Sequence, residues 1–266
     1  MRRNLRCIRL LIQLKLSRMM MFRLSFFGAF FADAELFIVQ LATFEVIYGQ
    51  VDTIGGWGRG QMLIFIGTFS MINGLNMLIF FFGVAGIPGK IKEGGLDYYI
   101  TKPVNALMRL TFESADPGSI PLILVSGLII ARGIGAAGIA VTVPRMLLYG
   151  ALVLLMTLLW YDMEVLLRSL SFFFIVVSDV DPIERLEGHL LNLNFKVPGV
   201  IYKGFFRVLF CFLLPYGIMA TVPTQALSGT LTPLGLLQAV GVVVCFTVLT
   251  LWFWRFGLRH YRSASS

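Results

Sequence analysis

The residues that come nearest to a nucleotide site are Gly83-Val-Ala-Gly-Ile-Pro-Gly89-Lys90. A phosphate-binding loop needs Gly, four residues, then Gly-Lys-Ser/Thr, so that backbone N–H groups cradle phosphates and the hydroxyl reaches Mg²⁺. Here the spacing is one residue too long, and Ile91 stands where the hydroxyl belongs. Gly133-Ile-Gly135-Ala-Ala-Gly138 matches the dinucleotide pattern in letters only, because it follows an apolar span rather than a strand and no βαβ unit surrounds it. Small residues there serve close packing instead. His189 and His260 lie far apart and no His/Cys/acid cluster has metal spacing. The serines lack a nucleophile elbow. Cys7, Cys211 and Cys245 form no CxxC pair, so they read as reduced thiols. Hydrolase and metal-enzyme chemistry therefore have no carriers here.

Carboxylates within apolar runs are a different matter. Asp33 and Glu35 fall about ten residues into the first apolar stretch, where an ionised acid is costly without water or a partner. In one reading they face a hydrated cleft and attract cationic cargo. In the other the span starts later and both sit at the inner interface near Arg18 and Arg23. Glu45 lies near the outer end of the same stretch, within reach of headgroups. Asp162 and Glu164, with Arg168 one helical turn after Glu164, form a structural group near the inner end of the fourth stretch.

The most informative polar stretch runs from Pro88 to Asn105. Lys90, Lys92 and Glu93 charge its start, Gly94 and Gly95 permit a sharp turn, and Pro103 redirects the chain. Leu96, Tyr98, Tyr99 and Ile100 beside Asp97 read as an apolar knob framed by polar groups. That pattern suits either docking into a partner's groove or a plain amphipathic surface segment.

The elements that must position these residues follow from composition. The chain has 266 residues, 58% hydrophobic and 14% charged, with a mean hydropathy of +0.84. Soluble domains carry about 25% charge, so the class is an all-α polytopic membrane protein. A spanning helix needs roughly 20 apolar residues, and six candidates occur, at about 24–48, 62–87, 116–131, 145–167, 205–228 and 234–257. The third is the weakest, short and disturbed by Pro117 and Pro121, and could extend into 133–143. Residues 1–23 hold seven basic groups around an apolar stripe of Leu5, Ile8, Ile12 and Leu16, the pattern of an interfacial amphipathic helix. Ala32-Asp33-Ala34 mimics a signal-peptidase site, but Arg23 interrupts the apolar region that such a peptide needs.

With both termini cytoplasmic, including the tail 259–266, all but Arg59, Arg132 and Arg145 of the 22 basic residues fall on the inner side. That sorting is the positive-inside bias, and it explains the net charge of +8 without nucleic acid. Trp57, Trp252 and Trp254 fit interfacial aromatic belts.

The Pro88–Asn105 stretch resembles the ABC-2 type permeases, in their six-span branch. The matching positions are Ile91, Lys92, Gly94 or Gly95, Leu96, Asp97, Ile100, Lys102, Pro103, Val104 and Asn105. Ile54-Gly55-Gly56-Trp57, Ser171-Phe172, Leu214-Pro215 and Val222-Pro223 agree. The resemblance implies a permease subunit of an ATP-driven exporter in a prokaryotic plasma membrane, the inner membrane in a Gram-negative cell. It implies that residues 1–23 act as a connecting helix. The 88–110 loop would couple to a separate dimeric ABC ATPase through Lys92, Gly94, Gly95, Leu96, Asp97, Tyr98, Lys102 and Pro103. ATP and Mg²⁺ would sit on that partner, with no cofactor on this chain. A second permease, identical or related, would complete the pathway, and the cargo would be a cationic or amphipathic small molecule. Asp179-Val-Asp181-Pro182-Ile-Glu184 is more acidic than the resemblance implies for the second inner loop. Two other classes compete: a membrane scaffold, which needs no ATPase, and a lipid-modifying enzyme, which needs a polar constellation that the chain lacks.

Overall fold

The structure is a computed structural model, and it describes residues 39, 41–173 and 197–261. The 1–23 helix, Asp33, Glu35, the acidic 179–184 segment and the tail beyond Tyr261 lie outside the described residues. Residues 41–48 are helical and precede a turn closed by an isolated bridge between Ile54 and Trp57. After it come α1 (Arg59–Ile79), α2 (Phe81–Ala85), α3 (Ile87–Lys92), α4 (Asp97–Ile100), α5 (Ala106–Glu113), α6 (Ile120–Ala137) and α7 (Val143–Ser169). They are followed by α8 (Gly204–Val208), α9 (Tyr216–Met219), α10 (Thr221–Ser228) and α11 (Pro233–His260). The described residues contain no named strand.

Four of these helical stretches are long and apolar enough to cross a membrane: Arg59–Ile79, Pro117–Ala137, Val143–Phe172 and Pro233–His260. A chain whose backbone enters lipid must satisfy its N–H and C=O groups within each segment, and helices do so. The protein is thus a multi-pass, all-helical membrane protein. The spans expected at 145–167 and 234–257 lie inside α7 and α11. The weak third candidate begins near Pro117, as read from the sequence, and continues to Ala137, where Gly138 closes the helix at φ +62°.

Two expected spans differ. The 62–87 candidate stops at Ile79. The chain breaks at Phe80 and turns into α2 because Gly83 there meets the backbone of α5. A Cβ on Gly83 would lie 2.0 Å from the Leu110 carbonyl oxygen. The 205–228 candidate is not one straight crossing. Gly204–Leu213 and Tyr216–Ser228 are bent by 78°, with Pro215 at the break.

Both ends of this bent segment lie at the same end of the bundle. Gly55, before α1, packs against Val200 and Ile201, and Gly229, after α10, packs against the Arg145 guanidinium at the start of α7. Arg207, assigned by the charge sorting to the cytoplasmic side, lies beside the first turns of α11, at this Trp57 end. The opposite end carries the Leu96 loop.

The seam between α1 and α6 explains how the bundle closes without a hydrophobic drive between helices, since lipid tails are as apolar as leucine. Gly60, Gly67 and Gly74 recur every seven residues along α1. A Cβ on each would lie 2.4 Å from the Ala137 nitrogen, 2.7 Å from Ile130 Cγ1 and 2.8 Å from Ile123 Cγ1. Gly133 returns the fit from the other side, 2.8 Å from the Ile64 nitrogen. The close-packing role expected for the Gly133–Gly138 stretch is met at Gly133, whereas a Cβ on Gly135 or Gly138 would meet open space.

Buried polar side chains bond to one another across the helices. Glu164 accepts from Asn76 Nδ2 at 3.0 Å and from Trp160 Nε1 at 2.8 Å. Asp162 accepts from Thr247 Oγ1, and its carbonyl accepts from Thr250 Oγ1 at 3.0 Å. These bonds tie α7 to α1 and α11, which is the structural role expected of Asp162 and Glu164. Glu45 pairs with Arg59. Two tryptophans are core residues rather than lipid anchors. Trp57 is buried against Phe65, and Trp254 packs on Phe172 near the Leu96 loop.

Candidate functional site

Four short helices, α2 to α5, build the loop at the Leu96 end. Asn105 caps α5 by accepting from the Met108 N–H at 3.0 Å. Gly94 sits at φ +72°, a left-handed conformation that suits glycine. The turn it permits is closed by the Leu96 N–H donating to the Lys90 carbonyl at 3.0 Å.

That turn decides which side chains point in. Leu96 is fully buried and Tyr99 nearly so, in a cluster with Phe80, Val84, Ile87, Leu107, Leu110, Val165 and Trp254. Val165 belongs to α7 and Trp254 to α11, so the loop is keyed into two membrane helices. The expected knob is therefore divided. Leu96 and Tyr99 anchor the loop, whereas Tyr98 and Ile100 are exposed, at 53% and 44%.

Electrostatics orders the outer layer. The Arg109 guanidinium stacks on the Tyr98 ring at 4.4 Å and on Tyr99 at 5.0 Å. Lys102 covers Tyr98 at 5.0 Å and Lys90 covers Tyr99 at 5.3 Å. Each such cation–ring contact contributes about 0.5–1 kcal/mol where exposed. Glu113 joins the group from α5: it accepts from the Tyr99 hydroxyl at 2.7 Å and lies 3.9 Å from Lys90 Nζ and 4.0 Å from Arg109 Nε. The Arg109 hydrogen bond holds the Tyr98 hydroxyl below the usual phenol range. Burial, then the bond to Glu113, pushes Tyr99 above it. Burial, then the charge of Asp97, also raises the Tyr261 hydroxyl, which links the loop to the residue after α11.

Of the residues singled out in sequence, Lys92, Gly95, Tyr98, Lys102 and Pro103 are exposed, Gly94 and Asp97 are half-buried, and Leu96 is buried. The pair proposed for cargo, Asp33 and Glu35, lies outside the described residues. Sequence reasoning passed over Arg109 and Glu113 as site residues. Their spacing of four on one helix, after adjacent tyrosines, was the available signal. Among the described residues no group of His, Cys, Asp and Glu could hold a metal ion.

The loop thus presents a basic and aromatic surface anchored in the transmembrane core. The model of the ABC-2 family transporter protein matches residues 35–265. The chain belongs to the ABC-2 family. It is the membrane component of an ABC transporter, a transport subunit that associates with an ABC ATPase. No curated protein and no solved structure matches it.

Proposed function

We propose that this ABC-2 subunit forms the cargo pathway of an exporter with a second permease, and that the 88–110 loop receives the stroke of a separate, dimeric ATPase. ATP and Mg²⁺ act on that partner. One observation carries the reading: the loop exposes Tyr98, Ile100 and Lys102 while Leu96 and Tyr99 insert among residues of α7 and α11. A push on the exposed face moves two spanning helices together. Lys92, Lys102 and Arg109 fit a groove that carries acids on the ATPase. Pro103 and the Gly94–Gly95 turn hold the loop's shape, and Asp97 faces Tyr261.

ATP-driven closure of the nucleotide domains would press on α4 and exchange inward- and outward-open states. The membrane is a prokaryotic plasma membrane, with residues 1–23 lying along its inner interface. Cargo of amphipathic character fits this reading best. A cationic preference rests on Asp33 and Glu35, and double replacement with Asn and Gln that left cation export unaltered would remove it.

The test is copurification from detergent. The wild-type chain should bring down an ATPase and raise its hydrolysis rate, and the Tyr98→Ala/Lys102→Glu variant should lose both while inserting normally. A chain that neither retains nor stimulates an ATPase would be a scaffold instead.

A further inference from the structure

The bent segment and the first half of α11 enclose a cavity of about 360 Å³ at the Trp57 end. Ligand pockets commonly run from about 300 to 1,000 Å³, so this one has room for a headgroup and the start of a chain. Its polar lining is Arg207, Thr221, Gln225, Thr232 and Gln238, with the Tyr202 phenol and the Cys211 thiol, and among the described residues no carboxylate lines it. The two threonine hydroxyl oxygens are already engaged as acceptors. Thr221 Oγ1 takes the Gly199 N–H at 2.8 Å, and Thr232 Oγ1 takes the Gly235 N–H at 3.0 Å. Each hydroxyl then offers its proton. The start of the 28-residue helix α11 also lines the cavity, through Leu234 and Gly235, and a helix N-terminus carries partial positive charge.

Arg207 itself stands on α8 between residues that face outward. Phe205, Phe206 and Val208 are 72%, 57% and 58% exposed. A guanidinium on a helix whose other side chains suit lipid is costly without an anion. The remaining wall, including Phe212, Ile218 and Val242, is apolar. A single cation, converging donors and an apolar wall describe a receptor for one kind of molecule.

We infer that this cavity binds an amphiphile by its acidic headgroup, a phosphate of the phospholipid type, with Arg207 pairing to the anion and the acyl chain lying along the apolar wall. All the described residues that line the site come from this chain.

Cys211 lines the cavity, whereas Cys245 lies on α11 away from it. In a Cys7→Ser/Cys245→Ser chain, maleimide labelling of Cys211 in nanodiscs of phosphatidylcholine is compared before and after adding phosphatidylglycerol of the same chain length. Phosphatidylglycerol should protect Cys211. Arg207→Gln should raise the concentration needed for half protection about tenfold or more, as expected for losing a hydrogen bond to a charged group. Arg207→Lys should retain most of the protection, and equal melting temperatures would show that both variants fold. Equal protection by phosphatidylcholine, or no change on Arg207→Gln, overturns the proposal. Inorganic phosphate alone protecting Cys211 as well as phosphatidylglycerol would make a soluble anion the occupant and overturn it too.

Discussion

The two ends of the bundle treat their cations in opposite ways. At the Leu96 end Arg109, Lys102 and Lys90 lie against tyrosine rings, and Glu113 sits among them. At the Trp57 end Arg207 borders a cavity that, among the described residues, contains no acid. Both ends use a glycine pressed onto backbone: Gly83 on the Leu110 carbonyl, and Gly199 on the Gly217 carbonyl, which a Cβ would approach to 2.3 Å. The first contact locks a loop to its neighbours, whereas the second shapes the floor of an opening. The loop cations are engaged within the protein, whereas Arg207 faces a concavity.

The comparison breaks most severely at Gly83. Gly83→Val should dislodge α5 and abolish folded, monodisperse protein in size-exclusion chromatography, because the overlap is with backbone that cannot turn aside. Leu96→Ala should come next. Removing a fully buried leucine costs about 2–5 kcal/mol, and the loss should appear as a lower melting temperature together with uncoupled ATPase stimulation. If ATPase stimulation survived that change, the loop would not be the transmitting element.

Tyr98→Ala and Lys102→Glu act on the exposed layer and should cost stability only the cation–ring contacts they remove, about 0.5–1 kcal/mol each. Their effect should lie in the association rate with the ATPase, which should fall about tenfold for the charge reversal and depend on salt. Tyr99→Phe leaves the exposed layer in place and forfeits one hydrogen bond to Glu113, about 1 kcal/mol. It also carries a pH signature. Tyr99 is raised in the fold, so the unfolded phenol, near pH 10, ionises first. The stabilisation from Tyr99 is complete below that pH and is lost as pH rises beyond it. The wild type should therefore lose stability on that alkaline limb faster than the Phe variant, as thermal melts at successive pH values would show.

Much of the spanning architecture was legible because hydropathy and helix length are local properties. α7 extends the expected 145–167 by two residues at each end, and α11 extends 234–257 by one residue at its start and three at its end. The loop was legible too, from its turn glycines, charges and Pro103. Which of its residues face inward was not. Leu96, Tyr98, Tyr99 and Ile100 look alike in a linear reading, and only the left-handed turn at Gly94 separates anchors from exposed groups. The seven-residue recurrence of Gly60, Gly67 and Gly74 was present in the sequence, but its meaning depended on α6 offering Ala137, Ile130 and Ile123 at matching depths.

The sequence by itself determined that this chain lives in a membrane, that helices cross it, and that an ABC-2 loop follows the second apolar run. Those facts are set by transfer of side chains between water and lipid, which each segment experiences alone. Tertiary structure decided the rest: the early end of α1, the 78° bend that returns the fifth segment to the Trp57 end, the interior place of Trp57 and Trp254, and the position of Arg207 beside a cavity. Each of these depends on which backbone meets which at distances near contact, and that is fixed by segments far apart in the chain.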